Sequence, residues 1–138
     1  MGNHGVRRTL TILLVEDDLA VRFFIRVLLE QLGHRVYEAS NANEALQVWN
    51  SIGSSINLLL TDAIMPGSKT GRQLAEELRH QRPNLGVILM SGYQSGRFDS
   101  VGEPEFIGTF LHKPCSIDDL KEAIKQQLDV ADSSAIAI

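Results

Sequence analysis

The sequence is poor in several residue types that mark particular classes of protein. It has a single cysteine, Cys115, so an internal disulfide framework is excluded and a reducing compartment such as the cytoplasm is expected. No apolar run approaches the roughly 20 residues that cross a bilayer, so we expect no membrane contact. Lys and Arg number 13 against 17 Asp and Glu, a net charge of −4, and nucleic-acid-binding modules are usually basic. We therefore expect no nucleic-acid partner.

The remaining composition is that of one globular domain. Hydrophobic residues make up 43% and charged residues 22% of 138 residues, enough for a core without disulfide or metal staples. The start, MGNHGVRRTL, lacks the apolar segment of a signal peptide. We predict a polar lead-in at residues 1–8, a single domain at residues 9–129 and a disordered tail at residues 130–138.

Five short apolar runs predict strands, and three of them are nearly continuous in Leu, Ile and Val. Runs of that kind are typical of parallel strands that are covered on both faces. The predicted strands are Leu10 to Val15, Arg35 to Ala39, Ile56 to Thr61, Val87 to Met90 and Ile107 to Leu111.

Amphipathic helical patterns separate the predicted strands. They lie at Val21 to Leu32, around Trp49, around Leu74, and from Ser116 to Leu128, with Gly33 as a stop after the first. The glycine-rich stretch from Ser91 to Gly108 has little periodicity, so any helix there should be short. Alternating strands and helices predict an α/β fold, with a parallel sheet between helices on both faces.

Reactive side chains follow the ends of several predicted strands. Glu16 and Asp17 follow the first, Asp62 the third, Ser91 the fourth and Lys113 the fifth. Ligands of such sheets bind beyond the carboxyl ends of the strands, where these groups should meet. Crowded carboxylates need a cation, and Mg²⁺ prefers oxygen ligands. An oxygen nucleophile, a metal and a fixed positive charge are what phosphoryl transfer requires, so we interpret Asp62 as a nucleophile.

Four motifs, in order and at the right strand ends, make the sequence resemble the receiver domain of two-component response regulators. They are LLVEDD (13 to 18), LLLTDAIMPG (58 to 67), ILMSGY (88 to 93) and FLHKP (110 to 114). The resemblance runs from about Thr9 to Leu128. It implies a flavodoxin-like, doubly wound sheet of five parallel strands in the order 2-1-3-4-5, with five helices.

The resemblance also implies a role for each matching acid. Asp62 would be the phosphoacceptor. Glu16 and Asp17 would be the metal-binding acidic pair, Asp17 the more direct ligand. Together with Asp62 and the backbone carbonyl of Ile64, they would hold Mg²⁺ or Mn²⁺.

Four further residues match positions around the phosphoryl group. By the resemblance, Lys113 would contact that group, and Pro114 would set the strand-end geometry through a cis bond. Ser91 would be the switch hydroxyl and Phe110 the aromatic residue that rotates inward with it. Two departures stand out: the loop from Pro66 to Gly71 is one residue longer than usual, and Cys115 replaces an apolar aromatic residue.

The function implied is that of a phosphorelay receiver. A histidine kinase or a histidine phosphotransfer domain would phosphorylate Asp62, and the output surface would then repack, with a phosphorylation-dependent dimer as a further expectation. Weak autophosphorylation and autodephosphorylation would not make the domain a conventional enzyme. The motif style favours the receiver of a hybrid sensor histidine kinase. The alternatives are a stand-alone response regulator and a pseudo-receiver that binds protein without phosphate.

Simpler readings exist for each residue. Asp62 could cap a turn, Lys113 could be a solvated surface lysine, Ser91 could start a turn, and Phe110 could be a core aromatic. Asp18 is better explained as the N-cap of the first helix than as a metal ligand.

Other families with a related architecture fit less well. A haloacid-dehalogenase phosphatase needs a second Asp two residues after the nucleophile, where this sequence has Ile64. A flavodoxin or dinucleotide-binding protein needs a phosphate-binding loop after the first strand, where Glu16 and Asp17 would repel phosphate.

Overall fold

Parallel strands and helices alternate along the chain in the computed structural model, which describes residues 8–65, 67, 69–92 and 108–136. The strands form one sheet in the order β2-β1-β3-β4-β5, and all neighbouring pairs are parallel. The predicted α/β fold and strand order are therefore confirmed. The elements are β1 (Thr11–Val15), α1 (Leu19–Gln31), β2 (Arg35–Ala39), α2 (Ala42–Ile52), a 3-10 turn (Gly53–Ser55), β3 (Leu58–Asp62), α3 (Gly71–Gln81), β4 (Gly86–Ser91), β5 (Thr109–His112) and α4 (Ile117–Ile136).

The core consists of two apolar clusters, one on each face of the sheet. Alternate residues of β1 point to opposite faces: Leu13 packs with α2 and α3, whereas Ile12 and Leu14 pack with α1 and α4. Both faces are thus covered, which is why β1, β3 and β4 are apolar at most positions. The burial holds the three strands rigidly, and their carboxyl ends form a fixed edge.

Local signals set where the helices begin and end. Asp18 caps α1, because its carboxylate accepts a hydrogen bond of 3.0 Å from the backbone N–H of Val21, as predicted. Ser116 and Asp119 form the predicted reciprocal pair at the start of α4. Gly33 follows α1 with φ of 96°, a left-handed conformation that favours glycine.

Several predicted boundaries are wrong. β3 begins at Leu58 rather than Ile56, and β4 begins at Gly86 rather than Val87. The last helix continues through Ile136, where a disordered tail was predicted from residue 130. Neither glycine nor proline follows Leu128, so each added residue extends the helix with a further backbone hydrogen bond.

Other predictions fall outside the described residues. The short helix expected between Ser91 and Gly108 is one of these, and so is nearly all of the polar lead-in. Four α-helices are present in the part of the chain that the structure describes. Within that part, no helix is both long enough and apolar enough to cross a membrane.

Candidate functional site

Three acidic side chains meet at the carboxyl edge of the sheet. Glu16 and Asp17 follow β1, and Asp62 is the last residue of the neighbouring strand β3, where Val15 pairs with Thr61. An oxygen of each of the three carboxylates lies within 4.8 Å of the other two. Glu16 and Asp62 are buried and Asp17 is exposed, so the cluster is shielded from solvent at two carboxylates and accessible to solvent at the third.

The ammonium group of Lys113 lies between two of these acids. Its Nζ is 2.7 Å from Oε1 of Glu16 and 3.2 Å from Oδ2 of Asp62. The backbone N–H of Lys113 donates to the carbonyl of Ser91 at 2.7 Å, which ties the lysine to the end of β4. The Lys113–Pro114 peptide bond is cis, as the resemblance implied.

Burial and charge shift the pKa values of these groups. Burial raises the pKa of Asp62, and the charge of Asp17 raises it further, against the lowering effect of Lys113. The pKa of Glu16 is also raised, chiefly by burial. Burial alone would lower the pKa of Lys113, but its bond to Glu16 and the charges of Asp62 and Glu16 outweigh that effect and raise it. The lysine therefore stays charged, while the acids gain from any further cation.

The donor set fits a divalent metal ion. Three carboxylates facing one ammonium leave two negative charges without a counter-charge when all are ionised. Opposite ligands of an octahedral Mg²⁺ lie about 4.2 Å apart, because each is about 2.1 Å from the ion, so one ion can reach this cluster with small adjustments. All the acidic donors are oxygens, which Mg²⁺ and Mn²⁺ prefer.

A pocket of about 250 Å³ opens beside the acids. It is lined by Asp62, Ile64, Ser91, Gly92 and Lys113. Ser91 is buried at the end of β4, and Ile64 exposes 60% of its surface. The Ile64 backbone N–H bonds to the Asp62 carboxylate. A carboxylate, a hydroxyl and an ammonium group thus border one space that is open to solvent.

The structure brings most of the predicted site residues together at this edge: Glu16, Asp17, Asp62, Ile64, Ser91 and Lys113. Phe110 lies in β5 opposite Leu89 and is 38% exposed. Pro114 is exposed and follows Lys113 directly. The roles assigned to these residues stay predictions.

Two residues at the site escaped the sequence reasoning. Arg22 of α1 donates from Nη1 to the Glu16 backbone carbonyl at 2.8 Å. Gly71, the first residue of α3, lies so close to Asp62 that an added Cβ would be 1.8 Å from the Asp62 carbonyl oxygen. A glycine opening a helix next to a site motif was an available signal for Gly71. No local signal marks Arg22, because its partners come from other elements.

Comparisons with known proteins agree with this geometry. A family model described as the response regulator receiver domain matches residues 12–125. The sensor kinase CckA of Brucella abortus (strain 2308) is 34% identical over 122 residues, which are 88% of this chain and 13% of CckA. Sporulation initiation phosphotransferase F of Bacillus subtilis (strain 168) is 28% identical over 119 residues, 85% of this chain and 92% of that protein.

A solved structure extends the likeness to three dimensions. The crystal structure of the receiver domain from the hybrid histidine kinase CckA matches with a TM-score of 0.70 and 38% identity, covering 86% of this chain and 98% of that one. The chain thus spans a small part of the full-length sensor kinase and nearly all of the phosphotransferase.

Proposed function

Because the chain belongs to the family of response regulator receiver domains, we propose that it accepts a phosphoryl group from a phosphohistidine onto Asp62. The single observation that carries this proposal is the convergence of Asp62 with Lys113, Glu16 and Asp17 beside a solvent-open pocket. The phosphohistidine would belong to a histidine kinase or a histidine phosphotransfer domain.

The reaction is an in-line displacement at phosphorus. An Asp62 carboxylate oxygen forms the new P–O bond while the P–N bond to the imidazole of the donor breaks, and the electron pair leaves with the imidazole nitrogen. Asp62 sits at the end of a rigid strand, so it approaches the donor without reordering the chain. The product is an acyl phosphate.

Fixed donors would stabilise the transferring group. Lys113 lies 3.2 Å from Asp62 and carries a permanent positive charge, and the Ser91 hydroxyl borders the same pocket. Mg²⁺ or Mn²⁺, held by Asp17, Asp62, Glu16 and the Ile64 carbonyl, would supply neutralising charge to the phosphoryl oxygens when bound.

Phosphorylation would then act as a switch. The phosphoryl group brings about −1.5 to −2 charge and strong acceptor oxygens into the pocket. Ser91 and Lys113 would move to bind it, and Phe110, exposed on β5, would rotate inward. A partner that prefers the repacked surface would shift the population further toward it.

Two contexts are supported for the whole protein. The likeness to CckA favours the receiver of a hybrid sensor histidine kinase, in which the parent chain would be the phosphotransferase. The near full-length match to the Bacillus phosphotransferase supports a stand-alone receiver instead. Phosphotransfer profiling of this chain against phosphorylated kinases and phosphotransfer domains tests which donor it accepts.

The phosphoacceptor assignment is tested with acetyl phosphate and Mg²⁺, followed by intact-mass spectrometry. Wild-type chain should gain one phosphoryl group, and Asp62→Asn should gain none, because an amide oxygen is a poor nucleophile. Asp18→Asn is the matched control: it removes a carboxylate near the pocket but keeps a good helix cap, so labelling should persist. Labelling of Asp62→Asn would refute the assignment, and an unlabelled wild type would indicate a pseudo-receiver.

A further inference from the structure

Arg22 joins the acidic loop to the neighbouring strand through one guanidinium group. Its Nη1 donates to the Glu16 backbone carbonyl at 2.8 Å, and its Nε donates to Oε1 of Glu38 at 3.0 Å. The Arg22 side chain is only 16% exposed. A guanidinium presents its donors in a rigid planar fork, so binding Glu38 also orients the donor that faces Glu16.

Glu38 is itself held by a second arginine. Arg26 Nη1 donates to Oε2 of Glu38 at 2.7 Å. Burial would raise the pKa of Glu38, but the hydrogen bonds and charges of Arg26 and Arg22 outweigh it and lower the pKa. Glu38 therefore stays ionised and anchors Arg22 from the side of β2. Arg26 shares this anchor, and its other ion pair is with Glu30 of the same helix at 3.7 Å, which makes it a natural comparison.

The acidic loop is fixed on both sides of Asp17. The Glu16 N–H donates to the Ala39 carbonyl at 3.0 Å, and the Glu16 carbonyl accepts from Arg22. The Asp18 N–H donates to Oε2 of Glu16 at 3.0 Å. The backbone on both sides of Asp17 is thus held by hydrogen bonds, although the Asp17 side chain is exposed.

We propose that Arg22 is a positioning residue of the metal site. It holds the peptide that joins Glu16 to Asp17, so the carboxylates of Asp17 and Asp62 converge before an ion binds. Groups that orient metal ligands in this way typically change metal affinity by about 10- to 100-fold when they are removed. The inference rests on the metal site of the proposed function and adds a residue outside the receiver motifs.

The test is titration of the 138-residue chain with Mn²⁺ alone, followed by electron paramagnetic resonance of the free ion. Arg22→Met keeps the length of the side chain and removes the fork, and we expect its Kd for Mn²⁺ to rise about tenfold. Arg26→Met removes the other arginine on Glu38 and leaves the Glu16 carbonyl bonded, so its Kd should stay within about twofold of wild type. Arg22→Lys keeps the charge but replaces the planar fork with a single ammonium nitrogen, and its Kd should rise about threefold.

The outcomes separate this role from general stability. If Arg22 were purely structural, Arg22→Met would be less stable in urea and its Mn²⁺ affinity would be unchanged, which would overturn the inference. Equal loss of affinity in Arg22→Met and Arg26→Met would also overturn it. If the circular dichroism spectrum of Arg22→Met differs from that of the wild type, the test rests on Arg22→Lys. A wild-type Kd for Mn²⁺ in Arg22→Lys would then overturn the inference.

The proposed function can fail separately. Wild-type chain that binds no Mn²⁺ would overturn the metal site and the Arg22 inference together. A second outcome is that wild-type chain binds Mn²⁺, Asp17→Asn does not, and Arg22→Met binds it with unchanged affinity. This outcome would support the metal site and overturn only the inference about Arg22.

Discussion

Glu16 shows how the residues of the acidic pair divide their work. Its Oε1 accepts from Lys113, its Oε2 accepts from the Asp18 N–H, and it is 1% exposed. Each oxygen already accepts one hydrogen bond, so Glu16 orients both the lysine and the loop. Asp17 is exposed beside it, and its role as the more direct ligand stays a prediction.

His34, which lies away from the site, should make the stability of the folded chain depend on pH. Its Nδ1 accepts a hydrogen bond of 3.1 Å from the Leu10 N–H, and burial lowers its pKa. The folded chain thus favours the neutral ring. The neutral His34 ring contributes fully to the free energy of unfolding above the pKa of about 6.5 that histidine has in the unfolded chain. This contribution is lost as the pH falls through the lower pKa of His34 in the folded chain.

We therefore expect the free energy of unfolding of the wild-type chain to fall by about 1 kcal/mol more than that of His34→Asn between pH 7.5 and pH 5. This difference is the usual net value of one hydrogen bond. Asparagine places an amide oxygen near the position of Nδ1 and does not titrate. Urea unfolding at both pH values measures the difference, and the other histidines cancel because both variants keep them. Parallel pH profiles of the two chains would contradict the prediction.

At the scale of elements, the start of α3 sets how the helix meets β3. The Gly71 N–H donates to the Ala63 carbonyl at 3.0 Å, and the helix backbone approaches Asp62 closely at this point. A Cβ on residue 71 would lie 1.8 Å from the Asp62 carbonyl oxygen, far inside contact distance. The close approach therefore couples α3 to the backbone of β3 at Asp62.

We expect Gly71→Ala to lower the free energy of unfolding by about 3 kcal/mol or more, because the backbone atoms it meets cannot rotate away. Phosphorylation by acetyl phosphate should fall with it, since Asp62 must shift. Gly33→Ala is the comparison: its Cβ meets nothing within 4 Å, so only left-handed strain of about 1–2 kcal/mol applies. Equal losses in urea unfolding for the two variants would show that the contact at Asp62 is relieved.

At the scale of the molecule, the strand order creates the site. β1 and β3 are neighbours in the middle of the sheet, β4 follows β3, and β5 closes the edge, so four segments distant in sequence deliver their side chains to one place. Such a site exists only in the folded chain, because the unfolded chain scatters the same groups.

A metal that binds only the folded chain must therefore stabilise it. At ten times its Kd, Mg²⁺ should add about 1.4 kcal/mol to the free energy of unfolding. Asp17→Asn should lose most of this gain and Asp18→Asn should keep it. Urea unfolding with MgCl₂, against NaCl at matched ionic strength, measures the effect. If MgCl₂ raised the free energy of unfolding of Asp17→Asn as much as that of wild type, the ion would bind at a different site.

The sequence by itself determined the architecture and the site's main residues. Runs such as Leu58 to Leu60 are apolar at every position, and the amphipathic helices between such runs identify them as strands buried on both faces. Caps such as Asp18 act through their own neighbours in the chain. Because carboxyl ends of parallel strands share one edge, Asp62 and Lys113 could be placed together before any coordinates.

Only the tertiary structure decided the contacts that cross between elements. The fork of Arg22 between Glu16 and Glu38 depends on the register of β1 and β2, in which Val15 pairs with Ala39. The closeness of Gly71 to Asp62 depends on how α3 packs against β3. Periodicity and capping report on neighbours along the chain, whereas these contacts arise when distant segments pack. The glycine that opens α3 is a local hint of the second contact, but it does not specify the partner.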